Sequence, residues 1–181
     1  PPLTVPSFAL PPGRNPTSRK RRMTSSHDPN ALVPNALLDF SGLPRFADFS
    51  PALVGPAIDE LLLQAREAVA SASRENVPCT WEGFVAPLED ATERLARAWG
   101  MVGHLNGVAD TPELRAAFNE SLPKVTQFWT ELGQNRALYE KYRALRASAA
   151  FDTLAPARRR VVELALVGFR LGGVELESPK R

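Results

Sequence analysis

The stretch from Thr80 to Pro123, TWEGFVAPLEDATERLARAWGMVGHLNGVADTPELRAAFNESLP, limits what the chain can fold into more than any other part. Thr80 stands where a helix N-cap belongs, Trp81 follows in the first turn, and Phe84, Val85, Leu88, Leu95, Trp99, Val102 and Leu105 recur mostly three or four residues apart. At about 3.6 residues per turn this spacing gathers the apolar side chains on one face, so a long helix with a single buried stripe is expected. The stripe runs into Gly107 and Asp110, and a second helix start comes at once. Thr111 is its N-cap, Pro112 takes the first helical position, where a missing N–H costs no bond, and Glu113 sits in the positive first turn. Two long helices joined by a short turn cannot cover their own stripes, so the remaining segments must pack against them.

Those segments are helical too. Ser50 and Pro51 form an N-cap and first-turn pair, and Val54, Ile58, Leu61, Leu62, Ala65, Ala68 and Val69 carry a stripe to about Ser73, leaving Glu60, Arg66 and Glu67 toward water. Pro56 is expected to remove one backbone hydrogen bond and bend this helix without ending it. Leu114, Phe118, Leu122, Val125, Phe128, Trp129 and Leu132 continue the second helix of the central pair through Pro123, expected as a kink or short break. After a turn at Gly133-Gln134-Asn135, Asn135 can cap a helix bearing Leu138, Tyr139, Tyr142 and Leu145. Ser148 to Ala155 makes the next connection, with Phe151 and Leu154 inward. The last helix starts near Pro156, carries Val161, Val162, Ala165, Leu166 and Phe169, and stops at Gly172-Gly173, after which Val174-Glu175-Leu176 is expected to trail into a polar, charged end. With no convincing strand and no repeat, the expected fold is all-α, an antiparallel array of about five helices.

Ahead of the helices the composition changes. Residues 1–22 contain six prolines and the cluster Arg19-Lys20-Arg21-Arg22, too little apolar surface to offset the entropy of ordering, so 1–29 is expected to be a disordered leader. The chain opens with Pro, and Met23 precedes a polar run, so translation is expected to begin at Met23; a targeting signal at Ser18–Arg22 is the competing view. Residues 30–49 are expected as an extended arm pinned by Leu37, Leu38, Phe40 and Phe46, residues 50–176 as the helical domain, and 177–181 as a tail at a truncation point. Residues 1–22 hold five bases and no acid, leaving 17 bases against 20 acids in the remainder. The pI near 9.1 therefore belongs to the leader, and the folded part has no basic stripe suited to phosphates. No apolar run approaches the roughly 18 residues that a bilayer crossing needs, and no secretory signal core is present; a cytoplasmic protein is expected, with neither nucleic acid nor membrane as partner.

From TWEGFVAPLEDATERL to GHLNGVADTPELRAAFNESLP the residues resemble the N-terminal helical region of the thimet oligopeptidase family of zinc metallopeptidases, over roughly Asn30 to Leu176. The resemblance implies a peptidase of short peptides whose helical N-terminal part forms one wall of a narrow substrate channel. It does not reach the portion that carries the chemistry, so the implied partners are the missing C-terminal catalytic part and, in the whole enzyme, short peptides.

No catalytic, cofactor-binding or metal-binding residue is assigned. The family holds zinc with His-Glu-x-x-His on a helix and a further Glu, the first Glu serving as general base. This chain has only His27 and His104, neither followed by Glu, so it is expected to bind no zinc itself although zinc is implied for the full-length family. His104 is expected to be structural, donating to a carbonyl. Cys79 at N′ is expected as a staple toward Phe84. Glu89, Asp90 and Glu93 with Arg94 and Arg97 are expected as a solvated face. Arg158-Arg159-Arg160 sits in the first turn of its helix, the wrong end for its dipole, which suits either solvent or an acidic partner. The alternatives to a peptidase fragment are a free-standing helical interaction module and a basic regulator acting through residues 1–22. Mass spectrometry of the mature protein is expected to find Met23 at its N-terminus; a peptide containing residues 1–22 would refute that start.

Overall fold

The computed structural model describes residues 35–176. The leader, residues 30–34 of the arm, and the tail from 177 lie outside the described residues, as does His27. Six α-helices and no strand occur among the described residues: α1 Val54–Ala72, α2 Ala86–Val108, α3 Pro112–Gly133, α4 Arg136–Arg146, α5 Ala149–Asp152 and α6 Pro156–Leu171. The expected all-α array is present, with α5 a single turn inside the segment assigned to a connection. Three of the N-caps form as expected. Thr80 Oγ1 accepts from Gly83 N at 3.0 Å, Thr111 Oγ1 from Leu114 N at 3.2 Å, and Asn135 Oδ1 from Leu138 N at 2.9 Å.

Pro56 acts differently from expectation, for a reason of position. Residues Pro51–Leu53 form a 3₁₀ turn and the α-helix begins only at Val54, which puts Pro56 in its first turn, where an N–H has no intrahelical acceptor. Pro56 thus removes no bond. Pro87 was absent from the stripe, yet it shapes the start of the central helix. Its ring opposes the carbonyl of Gly83 four residues back, and the chain answers with a π-helical turn, Trp81–Val85, closed by Ala86 N to Trp81 O, before α2 begins. Pro123 lies within α3, which runs unbroken across it.

The apolar stripes meet in two clusters. In the first, Val54, Ile58, Leu61 and Ala65 of α1 face Leu95, Ala98 and Val102 of α2 and Leu114, Val125 and Phe128 of α3, and the stacked rings of Trp99 and Phe118, 4.8 Å apart, close its edge. In the second, Ala72 and the π turn's Phe84 and Val85 meet Leu88, Leu138, Tyr139, Tyr142, Leu145, Phe151, Val162 and Phe169. Tyr142 is its hub, edge-on to Phe84 at 5.0 Å and tilted against Phe169 at 5.6 Å. Burying each such side chain contributes about 1.5–3 kcal/mol. Leu122 and Trp129, placed on the α3 stripe by periodicity, are exposed instead, because the stripe winds past the edge of its partners.

The arm is pinned at Leu37 and Phe40 as expected, but not at Leu38 and Phe46. Ala36 and Leu37 are buried and Phe40 and Phe49 are packed on the first cluster, whereas Leu38 and Phe46 are exposed. Two 3₁₀ turns, Ala36–Leu38 and Phe46–Asp48, fold the arm back, so neighbouring apolar residues point opposite ways. Asn35 Nδ2 donates to Leu53 O at 3.0 Å, and Arg97 of α2 donates to Gly42 O. Ser41 donates both its N–H and its hydroxyl to Asp39, holding that carboxyl down to about 2 from 3.8, with Arg45 adding to the effect. This contact is present above 3.8 and is lost as pH falls toward 2.

The C-terminal end also departs from expectation. Gly173 takes φ +83° at C′, Val174 N bonds Phe169 O at 3.1 Å and Gly173 N bonds Arg170 O at 3.0 Å, a full Schellman closure. It turns Val174 fully inward instead of leaving it in a polar tail. A Cβ on Gly172 would lie 2.8 Å from Gly133 O, so the ends of α3 and α6 touch through glycines. Glu175 accepts from the Tyr139 hydroxyl and fastens the segment to α4.

Lys141 escaped the sequence reading altogether. It is nearly buried, its ammonium donating to Arg74 O at 2.6 Å and Val77 O at 2.8 Å beyond the end of α1, and lying 5.6 Å from the Phe84 ring. Charged hydrogen bonds in such a place are worth about 1.5–3 kcal/mol each, and losing them strands the Val77 carbonyl, whereas Arg74 O keeps the Val77 N–H at 3.3 Å. Lys141→Met is expected to lower unfolding stability in urea by about 2–4 kcal/mol, and Lys124→Met, whose pair with Asp59 is exposed, by clearly less. Equal losses would remove this role for Lys141.

Candidate functional site

The residues weighed for chemistry in the sequence do not converge. His104 is exposed near the end of α2, and its described partner is the Phe46 ring at 5.7 Å, not a carbonyl. Nearby, Asn106 Oδ1 is buried without a hydrogen-bond partner among the described residues. Cys79 is partly buried at N′, and the side chains that pack on the second cluster at this corner include Val77 and Trp81. Among the described residues no group of three or more His, Cys, Asp and Glu side chains is placed to hold a metal ion, and no helix is long and apolar enough to cross a membrane. The described residues do not offer the donor set that a zinc ion needs.

The basic run has been divided by the fold. Arg158 reaches Glu82 at 2.9 Å and lies over the Trp81 ring at 5.0 Å, tying the start of α6 to the π turn. Arg160 lies 3.9 Å from Glu163 of its own helix. An acidic partner does exist for Arg158, and it is internal.

The face of α2 expected to be solvated is more structured than that. Asp90 pairs with Arg94 at 2.8 Å, but Arg94 and Arg97 lie over the Phe40 ring at 5.8 and 5.9 Å and help hold the arm. Glu89 and Glu93, one turn apart, border a groove of about 550 Å³ between α2, α3, α4 and α6. Its apolar walls come from Leu88, Trp129, Leu132, Leu138 and Phe169. A larger hollow of about 690 Å³ beside α4 is lined by Glu140, Arg143, Arg146 and Arg170, and two of those arginines already have carboxylate partners, at 2.9 Å for Arg143 and 3.8 Å for Arg146. The apolar groove is the better candidate, since recognition sites are largely apolar with few polar groups.

Glu89 stands at its rim, still reached by water, with the apolar wall raising its pKa by desolvation; the Tyr142 hydroxyl, donating at 3.4 Å, opposes that rise. Tyr142 is pushed strongly upward by burial first and by the Glu89 charge second, so it stays a donor at any ordinary pH. The sequence signal for this site was weak. Glu89 looks like any surface acid, and only the docking of α4 and α6 puts apolar surface beside it.

Comparisons with known proteins place the chain. The family described as neurolysin/thimet oligopeptidase, N-terminal domain, matches residues 58–181. The chain belongs to this family. Over 147 residues it is 36% identical to oligopeptidase A of Haemophilus influenzae and 37% identical to oligopeptidase A of Escherichia coli, in each case across 81% of this chain. Over 152 residues it is 38% identical to a probable cytosolic oligopeptidase A of Arabidopsis thaliana, across 84% of this chain. The chain spans about a fifth of the length of these relatives, 21% of the first and 22% of the other two. The family's N-terminal domain is thus what the two apolar clusters build.

A carboxylate whose folded pKa is raised binds its proton more tightly folded than unfolded, so its contribution favours folding at low pH and declines as pH rises from 4.5. Glu89→Gln is expected to remove that decline. Thermal melts of both proteins across this range check it: a difference in stability that grows with pH is the expected outcome, and a pH-independent difference would overturn the assignment.

Proposed function

We propose that this chain is the N-terminal helical part of a zinc metallo-oligopeptidase that hydrolyses short peptides, where it forms one wall of the substrate channel and supplies no ligand to the metal. The observation that carries this reading is the family match across the helical domain, a match that spans about a fifth of the length of the relatives. In the whole enzyme the metal, the water-activating carboxylate and the oxyanion donors then belong to a C-terminal part, and the chain by itself binds no zinc and cleaves nothing. A cytoplasmic location goes with this reading.

A second reading, a free-standing helical interaction module, is favoured by one feature: both apolar clusters close on residues of the described chain, with the Schellman turn sealing Val174 inside. The two readings differ over the DNA beyond the codon for Arg181. A frame that continues into His-Glu-x-x-His supports the peptidase fragment; a stop followed by unrelated sequence supports the module.

Leu164, Val167 and Leu171 of α6 are exposed, one of them at 85%, and with Gly168 they lie on one side of that helix. A wall removed from its channel leaves such surface open. The purified 181-residue chain is expected to self-associate in light scattering, to bind an apolar dye, and to show no chelator-sensitive cleavage of a short peptide. Stoichiometric zinc together with such cleavage would overturn the reading.

A further inference from the structure

The groove and the open side of α6 are one continuous surface. Ala165, Gly168 and Phe169 line the groove, and Leu164, Val167 and Leu171 continue around the same helix from Gly168. Trp129 stands on the opposite rim, more than a third exposed. Nothing lies within 4 Å of where a Cβ on Gly168 would stand, so the middle of this surface is open to close approach by another backbone.

Its charge is one-sided. The two ionisable side chains with carboxylates on the groove, Glu89 and Glu93, have no ion-pair partner among the described residues, although the neighbouring helix turn pairs Asp90 with Arg94. Two other polar side chains of the groove are engaged: Tyr142 donates to Glu89, and Thr92 donates to Leu88 O at 2.8 Å. An occupant that matches this surface offers apolar side chains and a cation. The described chain also leaves α6 at one end of it, where Gly172 meets Gly133, itself a lining residue.

We propose that this surface receives a helix from the downstream part of a polypeptide of the relatives' length, one whose apolar stripe packs on Leu164, Val167 and Leu171 and whose flanking lysine or arginine meets Glu89 and Glu93. The proposal rests on the peptidase-fragment reading and adds the face by which the domain is held and the chemistry of what holds it. The relatives extend over more than three quarters of their length outside the matched part, which is ample source for such a helix. A helix-in-groove contact uses apolar anchors at i, i+3, i+4 and i+7, and a flanking cation that meets carboxylates at the rim adds specificity.

The test uses the 181-residue chain and overlapping peptides of about 20 residues, several helical turns each, that tile the part of Haemophilus influenzae oligopeptidase A beyond the match. Binding is read by fluorescence anisotropy of the peptides. One or a few peptides are expected to bind above their scrambled versions and to carry an apolar stripe flanked by lysine or arginine. Gly168→Leu, which projects into open space and replaces a poor helix former in α6 by a good one, is expected to weaken binding at least tenfold with the circular dichroism melt retained or raised. Glu89→Gln with Glu93→Gln is expected to weaken it about tenfold at low salt and less at high salt. Leu63→Asp, at an exposed leucine of α1, is expected to change nothing. Absence of binding by every peptide, binding by acidic peptides alone, or binding indifferent to Gly168→Leu would overturn the proposal. So would self-association abolished by Gly168→Leu without any peptide bound, which would assign the surface to a second copy. The reading frame beyond Arg181 decides the fragment reading separately, since the peptides can bind whether or not that frame continues.

Discussion

The apolar seam between α1 and α2 is the constraint on which the rest of the architecture depends. Both helices run past the first cluster, and each contributes most of its stripe to that cluster and one end to the second. Val54 to Ala65 of α1 and Leu95 to Val102 of α2 build the first cluster; Ala72, and Phe84 to Leu88 across the π turn, build the second. α3 then has only the outer side of the first cluster to cover, and α4 and α6 only the second. The two clusters share Val69 and Leu132 at their border, so packing errors in one are felt in the other through rigid helices.

Polar contacts concentrate where the helices stop. The chain between α1 and the π turn leaves carbonyls at Arg74 and Val77 that no helix satisfies, and Lys141 reaches across from α4 to serve both. That is a costly place for an ammonium unless its hydrogen bonds are made, and the adjacent Phe84 ring gives the cation an electron-rich face. At the other end of the second cluster, the Schellman turn, the Gly172–Gly133 approach and the Tyr139–Glu175 bond do the corresponding work. Surface ion pairs such as Lys124–Asp59 add little by comparison.

The helices, their caps and most of their buried stripes were legible because each depends on neighbours along the chain. Thr80, Thr111 and Asn135 cap as their positions demand, and Leu138, Tyr139, Tyr142 and Leu145 are all buried as their spacing demands. What failed needed knowledge of neighbours far along the chain. Leu38 and Phe46 of the arm have the same composition as their buried neighbours, and only the two 3₁₀ turns decide which side chains face inward. Val174 looked like part of a polar tail because the geometry that buries it comes from Gly173, two residues past the last helical residue. Lys141 carried a charge in the middle of an apolar pattern, and periodicity has no rule that turns such a residue inward. The family resemblance was legible because it lies in the TWEGF to NESLP segment itself, and the candidate groove was not, since four helices must assemble before its walls exist.

Glu89 brings the energetics of that groove into focus. A carboxylate on a free helix surface is fully hydrated, but here α4 and α6 set Leu138, Tyr142 and Phe169 beside it, and hydration is partly withdrawn without a cation being supplied. One long hydrogen bond from Tyr142 offsets only part of this loss, which is why desolvation outweighs it in the direction of the pKa. The domain could shed the penalty by an uncharged residue at this position, and local consistency between sequence and environment normally favours that. Retaining an acid there is a disadvantage to the free domain and an advantage once a lysine or arginine arrives, because the cation then meets a carboxylate that has already given up part of its water. The same surface that leaves Leu164, Val167 and Leu171 open is therefore the one whose electrostatics are incomplete, and both deficits are resolved by a single apolar, basic helix.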